Sequence, residues 1–334
     1  MSLPERLGRL RRVDRIGAGG FATVWLYHDD ELASEVAVKA LADNWAQRLD
    51  IRDRFLEEAR ILRRADSDHV VRVYDIGEAD GTPYFVMSYA DRGSLAALLE
   101  AGRPLPVEQT VDLVDQAAAG LAVLHGQGVI HRDIKPQNLL LRSTDSPDRL
   151  KLLIADLGVA KAMIHASGLT QVVGTPAYMA PEQATGEGVD ARADVHALGA
   201  VAYQMLTGRL VREGGLSDLI QARLPERPSR LAPLPAAVDD VLLRAIDPDR
   251  ERRWPDVTVF ARELRVALLP DGAGAATVVR AVASPGTPVS EPTPAPVPAS
   301  AGRRSLGGGA LLLLCLVVLA ATFGLSYLAV SLLR

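Results

Sequence analysis

Eight consecutive residues, His131-Arg132-Asp133-Ile134-Lys135-Pro136-Gln137-Asn138, place a carboxylate, an ammonium and an amide in one short segment. Moving a phosphoryl group to a hydroxyl calls for those three. An acid orients the hydroxyl and accepts its proton, a cation meets the developing charge, and an amide oxygen holds a divalent metal. Asp133, Lys135 and Asn138 are therefore the candidate catalytic residues, with Asn138 doubling as a metal ligand. A string this short carries weight only if the rest of such a machine lies elsewhere in the chain at workable spacing.

The elements that could position it occur in order along the chain. Ile16-Gly17-Ala18-Gly19-Gly20-Phe21-Ala22-Thr23-Val24 reads as a glycine-rich hairpin whose backbone can approach phosphates and offer N–H groups to them. By itself such a string is more often a hairpin without a ligand. Ala22 stands where a G-x-G-x-x-G pattern has its third glycine. A strand, Val24-Trp25-Leu26-Tyr27, follows the glycines, whereas a dinucleotide-binding turn would run into a helix. The acidic residue such a turn needs about 20 positions on is absent near Val38-Lys39. Val36-Ala37-Val38-Lys39 alternates as a strand and ends on a lysine. The chain has only four, Lys39, Lys135, Lys151 and Lys161, among many arginines, so a retained lysine suggests a role for a compact ammonium.

A lysine beside phosphates needs a carboxylate to hold it. The helical spacing of Phe55, Leu56, Ala59 and Leu62 predicts a helix over Asp50 to Leu62 that carries Glu57 and Glu58. Glu58, directly before the small inward-facing Ala59, is the preferred partner; both glutamates could equally be solvated beside arginines. A helix over Val107 to His125 and a turn at Gly126-Gln127-Gly128 precede the opening segment. Two short apolar strands, one at Leu139-Leu140-Leu141 and one in the run Lys151 to Gly158, flank it. They put Asp156 of Asp156-Leu157-Gly158 at the end of the second strand, opposite Asn138. A carboxylate with an amide oxygen suits Mg²⁺, which binds few protein ligands and keeps its phosphates and waters.

The ordered set now includes Gly174-Thr175-Pro176, Ala180-Pro181-Glu182 and Asp194 in Ala193-Asp194-Val195-His196-Ala197-Leu198-Gly199. It resembles the Hanks-type (eukaryotic-like) Ser/Thr protein kinases of bacteria, of the membrane-anchored sort, over about Leu7 to Leu269. The resemblance implies an α+β, bilobal fold with a small, mostly β N-lobe and a larger α-helical C-lobe. It implies ATP as donor, Mg²⁺ or alternatively Mn²⁺ as metal, and Ser or Thr hydroxyls of proteins as acceptors. Asp133 then corresponds to the catalytic base, Lys135 to the γ-phosphate contact, and Asn138 and Asp156 to the metal ligands. Lys39 and Glu58 correspond to the ion pair that positions ATP. The ATP-binding set extends from Ile16 through Val24 to Ala37, Met87 as gatekeeper, Tyr89 in the hinge Ser88-Tyr89-Ala90, and Leu140. Glu182 pairs with Arg253 as a structural clamp, and Asp194 is a further structural position. Leu157 departs from the family's usual Phe, and Arg209 to Arg230 matches no family helix pattern.

Regulation follows from the same resemblance. Arg132, beside Asp133, would hold a phosphate on the segment from Lys161 to Thr175, which offers Ser167, Thr170 and Thr175. Thr170 is the preferred site of activating autophosphorylation, and Thr175 the structural one. Thr277, Thr287, Ser290 and Thr293 are further linker hydroxyls. A pseudokinase scaffold and a kinase of small-molecule hydroxyls are the competing classes. The first is disfavoured because no catalytic position is missing, the second because Gly174-Thr175 to Glu182 is present.

Composition bounds the rest. A net charge of −4 gives no reason to expect nucleic-acid binding, and a single cysteine, Cys315, excludes a disulfide framework and a zinc cluster. Residues up to about Leu269 have globular texture. Residues 270–309 are rich in Pro, Ala, Ser and Thr and read as a disordered, semi-extended linker. Ala310 to Leu333 carries no charge and reaches the roughly 20 apolar residues that a spanning helix needs. Arg303 and Arg304 before it and Arg334 alone after it favour a cytoplasmic N-terminal side. MSLPERLGRLRR has no apolar core and is not a secretory signal. The expectation is a single-pass protein of the cell membrane with its kinase domain in the cytoplasm and no sensor domain beyond the span. Its partners are protein substrates, membrane lipid and a second copy in a homodimer.

Overall fold

The computed structural model describes residues 3–146, 149–157, 176–186, 188–213 and 224–270. Gly158, Ser167, Thr170, Gly174, Thr175, the linker and the apolar run 310–333 lie outside them. Among the described residues no helix is long and apolar enough to cross a membrane.

The N-terminal lobe is built on six antiparallel strands: β1 (Arg6–Leu7), β2 (Leu10–Ala18), β3 (Ala22–Asp29), β4 (Ser34–Leu41), β5 (Val73–Ala79) and β6 (Thr82–Ser88). They pair in the order β1-β2-β3-β4-β6-β5. β4 is central, and its residues from Val36 to Leu41 are buried on both faces. Because successive side chains alternate across a sheet, Val36, Val38 and Ala40 pack with Leu10, Tyr27 and Val86 on one side. Ala37 and Leu41 join the main core on the other. Lys39 shares the parity of Ala37 and Leu41, so the sheet delivers its side chain inward.

A one-turn helix, α1 (Asp43–Ala46), leads into α2 (Leu49–Arg64). The expected helix at Asp50 to Leu62 is thus longer by a residue or two at each end, within the usual fraying of such boundaries. Ile51, Phe55, Glu58, Ala59, Ile61 and Leu62 form its buried face, and Phe55 meets Phe85 of β6 with ring centroids 5.0 Å apart.

The C-terminal lobe begins with α3 (Leu95–Leu99) and the long α4 (Val107–Gly126). The sequence spacing already placed α4 at Val107 to His125. A glycine at position 120 is required by packing: a Cβ there would lie 2.7 Å from the His69 carbonyl oxygen and 2.8 Å from Ile154. Strands β7 (Leu139–Ser143) and β8 (Leu150–Ile154) form a separate hairpin. It is tied to the segment after α2 by Val71 N–H to the Ile154 carbonyl at 2.9 Å and Ile154 N–H to the His69 carbonyl at 2.9 Å. Helices α5 (Pro181–Thr185), α6 (Arg192–Thr207), α7 (Pro228–Leu231), α8 (Ala237–Ala245) and α9 (Val257–Leu268) complete the lobe.

Nearly every residue of α6 is buried, Asp194 and His196 among them. α9 shows the opposite, amphipathic logic. Asp256 caps it by accepting from Thr258 N–H at 2.8 Å and Val259 N–H at 2.9 Å. Val257, Phe260, Ala261, Leu264 and Leu268, at helical spacing, are its buried face. The two-lobed α+β reading therefore holds for the described residues. Within Arg209 to Arg230, where no helix pattern was legible, residues 214–223 are outside the described set, and the short α7 starts at Pro228.

Candidate active site

The opening segment is a loop between α4 and β7 that closes with one 3₁₀ turn, Pro136–Asn138. Its shape depends on an unusual backbone. Arg132 has φ +64°, a left-handed conformation that a β-carbon disfavours by about 1–2 kcal/mol and that persists only where neighbours fix it. The fixing is done by Asp194, wholly buried on α6. Its carboxylate accepts the N–H of His131 at 2.8 Å and that of Arg132 at 2.9 Å, and meets His125 Nε2 at 2.7 Å. Gln183 of α5 donates from its side chain to the Arg132 carbonyl at 2.7 Å, while its Oε1 accepts Ala180 N–H at 3.0 Å.

Next in the loop, His131 is buried and its Nδ1 accepts the N–H of Asp133 at 3.3 Å. The ring proton therefore resides on Nε2, 3.1 Å from the Ala155 carbonyl. Burial, opposed in part by Asp194 and Asp133, lowers the imidazole pKa, so the neutral tautomer that both bonds require is the favoured one.

Asp133 is then met from two sides. Lys135 Nζ lies 3.1 Å from Oδ1, and Asn138 Nδ2 lies 2.8 Å from Oδ2 and 2.7 Å from the Asp133 carbonyl. With its nitrogen engaged there, the Asn138 side chain keeps its oxygen for another partner. The Asn138 carbonyl accepts Ala155 N–H at 2.9 Å, which seats Asp156 immediately beyond. Strand β8 stops at Ile154, so Asp156 lies two residues past the strand rather than at its end. It turns out of the ladder with φ +60°, a conformation more accessible to Asp than to most residues.

The two lobes meet at Lys39. Its Nζ lies 2.7 Å from Glu58 Oε1 and hydrogen-bonds to Asp156 Oδ1. Burial alone would depress the Lys39 ammonium, but the charges of Asp156 and Glu58 outweigh it and hold the pKa above its ordinary value. Of the two glutamates weighed in the sequence, Glu58 is the buried one; Glu57 is half-buried beside Arg60 and Arg64.

The glycine-rich hairpin joins β2 to β3, with Gly17 opposite Val24 and Ala18 opposite Thr23. Neither Gly17, Gly19 nor Gly20 adopts a positive φ. A Cβ at Gly20 would meet nothing within 4 Å. Backbone freedom therefore does not explain these glycines, and Gly20 at the tip faces open space. The ATP-binding set is otherwise dispersed. Met87 faces Ala37 across the β4–β6 register and both are buried. Tyr89 and Leu140 are half-buried, and Ile16 is exposed.

Glu182 and Arg253 form a bidentate pair at 2.6 and 2.8 Å, with the guanidinium fully buried and also donating to the carbonyls of Asp247, Pro248 and Arg192. Arg132 is exposed; the segment it was expected to engage is outside the described residues. Sequence reasoning missed His125, Gln183 and Trp45. The last turn of α4 and the residue after Ala180-Pro181-Glu182 were the available signals for the first two.

These contacts define a phosphoryl-transfer site between a β lobe and a helical lobe. The carboxylates of Asp133 and Asp156, the ammonium of Lys135 and the amide of Asn138 lie on the helical side, and the Lys39 ammonium, clamped by Glu58, lies on the β side. The comparisons agree with that class. The chain belongs to the protein kinase domain family, whose model matches residues 10–232. It is 38% identical over 272 residues to the serine/threonine-protein kinase Pkn1 of Myxococcus xanthus, covering 79% of this chain and 39% of that one. It is 34% identical to the serine/threonine-protein kinase PknB of Mycobacterium leprae, covering 80% and 44%. The chain thus spans under half the length of both relatives. The crystal structure of the Mycobacterium tuberculosis PknI kinase domain is similar at a TM-score of 0.63 and 26% identity, over 79% of this chain and 98% of that one.

Proposed function

We infer that the chain is an ATP-dependent serine/threonine protein kinase, autophosphorylated on its activation segment and tethered to a membrane by residues 310–333. The observation that carries the reading is an unbroken chain of contacts. It runs from Glu58 to Lys39, on to Asp156, through the backbone at Ala155 to Asn138, and ends at Asp133. Two oxygen donors of hard character, Asn138 and Asp156, fit Mg²⁺, and the open space at Gly20 fits a phosphate chain. When bound, ATP would supply the γ-phosphoryl group and Mg²⁺ the charge that offsets it.

The chain's own residues do the rest. Lys39, held by two carboxylates, positions the phosphates. Asp133 orients the acceptor hydroxyl and takes its proton. Lys135, beside the same carboxylate, meets the charge that develops. The kinase domain is read as ending at Leu269, beyond the matched region, because the buried faces of α8 and α9 belong to the same core as α4 and α6.

With γ-labelled ATP and Mg²⁺, the full chain should label itself and a protein acceptor, with phosphopeptides at Thr170 or Ser167. Lys39→Met should cut incorporation by about 10²-fold or more. Label entering small-molecule hydroxyls but not proteins would sink the assignment. The tether has its own test. The full chain should float with phospholipid vesicles, and Leu316→Arg with Leu319→Arg should leave it in the soluble fraction, because each charge at mid-span costs about 2.5–3.5 kcal/mol. Flotation unchanged by both arginines would remove the span.

A further inference from the structure

The tip of the glycine-rich hairpin is gripped from outside. Trp45 of α1 donates its indole N–H to the Gly20 carbonyl at 2.8 Å. Its ring stacks on Phe21 with centroids 5.2 Å apart and planes 28° from parallel. Next to it, Ala42 N–H donates to the Phe21 carbonyl at 2.9 Å. Two successive carbonyls of the tip therefore point at the connector between β4 and α2.

Peptide units are planar and trans, so C=O and the following N–H point in opposite directions. Fixing the Gly20 and Phe21 carbonyls on the connector turns the N–H groups of Phe21 and Ala22 away from it. Glycines have no side chain with which to hold such an orientation. Trp45 supplies it from outside the hairpin. The same connector continues directly into α2: Arg48 N–H bonds to the Trp45 carbonyl at 3.0 Å, and α2 carries Glu58.

We propose that Trp45 is the positioning residue of the glycine-rich loop, orienting the Phe21 and Ala22 amides toward the nucleotide's phosphates through its bond to Gly20 and its stack on Phe21. This rests on the reading of the hairpin as the phosphate cradle. The test uses the full chain with Mg-ATP and a protein acceptor, and measures KM for ATP and kcat separately. Trp45→Phe keeps the stack and loses the N–H; its KM should rise about threefold to tenfold. Trp45→Ala loses both, and its KM should rise about tenfold or more. In both, kcat should stay within about twofold. Nucleotide should also shift the indole emission of the wild-type chain, and that shift should be missing from Trp45→Phe.

An unchanged KM in Trp45→Ala, or a fall in kcat at constant KM, overturns the proposal. So does a Trp45→Phe chain that behaves as wild type, which would reduce the contact to packing. Should Trp45→Ala be too unstable to assay, Trp45→Phe, which keeps the ring, decides alone: a raised KM supports the clamp and an unchanged KM overturns it. A wild-type chain whose rate does not saturate with ATP would defeat the cradle reading itself, a result that needs no variant.

Discussion

An Asp133→Asn chain is expected to keep its fold and its affinity for nucleotide while losing about 10²- to 10⁴-fold in turnover, the range associated with a positioned general base. The substitution preserves shape but not chemistry. Asp133 accepts on both oxygens, from Lys135 at 3.1 Å and from Asn138 at 2.8 Å. An asparagine offers one acceptor and one NH₂, so either Lys135 or Asn138 faces a donor with a donor. The replacement thus removes the proton acceptor and disturbs its neighbours together. Nucleotide affinity should survive because Lys39 keeps its bonds to Glu58 and Asp156 when Asp133 is replaced. Initial-rate kinetics with a protein acceptor, run beside a nucleotide titration and a melting curve, check it. A turnover within tenfold of wild type, with the fold intact, would rule out Asp133 as the base.

The second large effect concerns stability. Arg253→Met should lower stability by about 3–5 kcal/mol, the cost of stranding one member of a buried ion pair. At roughly 2–4 °C per kcal/mol for a domain of this size, the melting midpoint falls by on the order of 10 °C. The loss sits at the upper end because Arg253 also satisfies three backbone carbonyls, those of Asp247, Pro248 and Arg192. Adding Glu182→Gln should recover part of it by removing the stranded charge, and the double-mutant cycle isolates that part. A midpoint within a degree of wild type would mean that the pair is solvated in solution. The position matters because Glu182 lies in α5, whose Gln183 reaches the Arg132 carbonyl.

What was legible in the sequence had local causes. The helix from Val107 was readable because its apolar residues recur at helical spacing over five turns. The choice of Glu58 over Glu57 followed from the small inward Ala59 beside it. The loop from His131 to Asn138 was readable because its chemistry is packed into eight residues. What was not legible depends on contacts between distant segments. His125 and Asp194 are 69 residues apart, and Gln183 is 51 from Arg132. Neither pairing leaves a periodicity to detect. Asp156 was read as the last residue of a strand because Leu152, Leu153 and Ile154 are apolar. The ladder ends earlier because the Ala155 N–H turns to Asn138 instead of continuing it. Trp45 carried no signal in the sequence, since only the folded hairpin brings Gly20 and Phe21 to it.

The anchoring of the catalytic loop to Asp194 has a mechanical consequence. The loop that carries Asp133, the proposed proton acceptor, is bolted to the floor of the molecule, through two peptide N–H bonds to a helix that is buried almost end to end. Lys39, the proposed nucleotide contact, hangs from the roof, on a strand tied to α2 through Glu58. Because Lys39 also bonds to Asp156, whose neighbour Ala155 is bonded to Asn138 and through it to Asp133, a movement of the roof reaches the floor through that one polar joint. A signal that pulls on either half is felt by the other there.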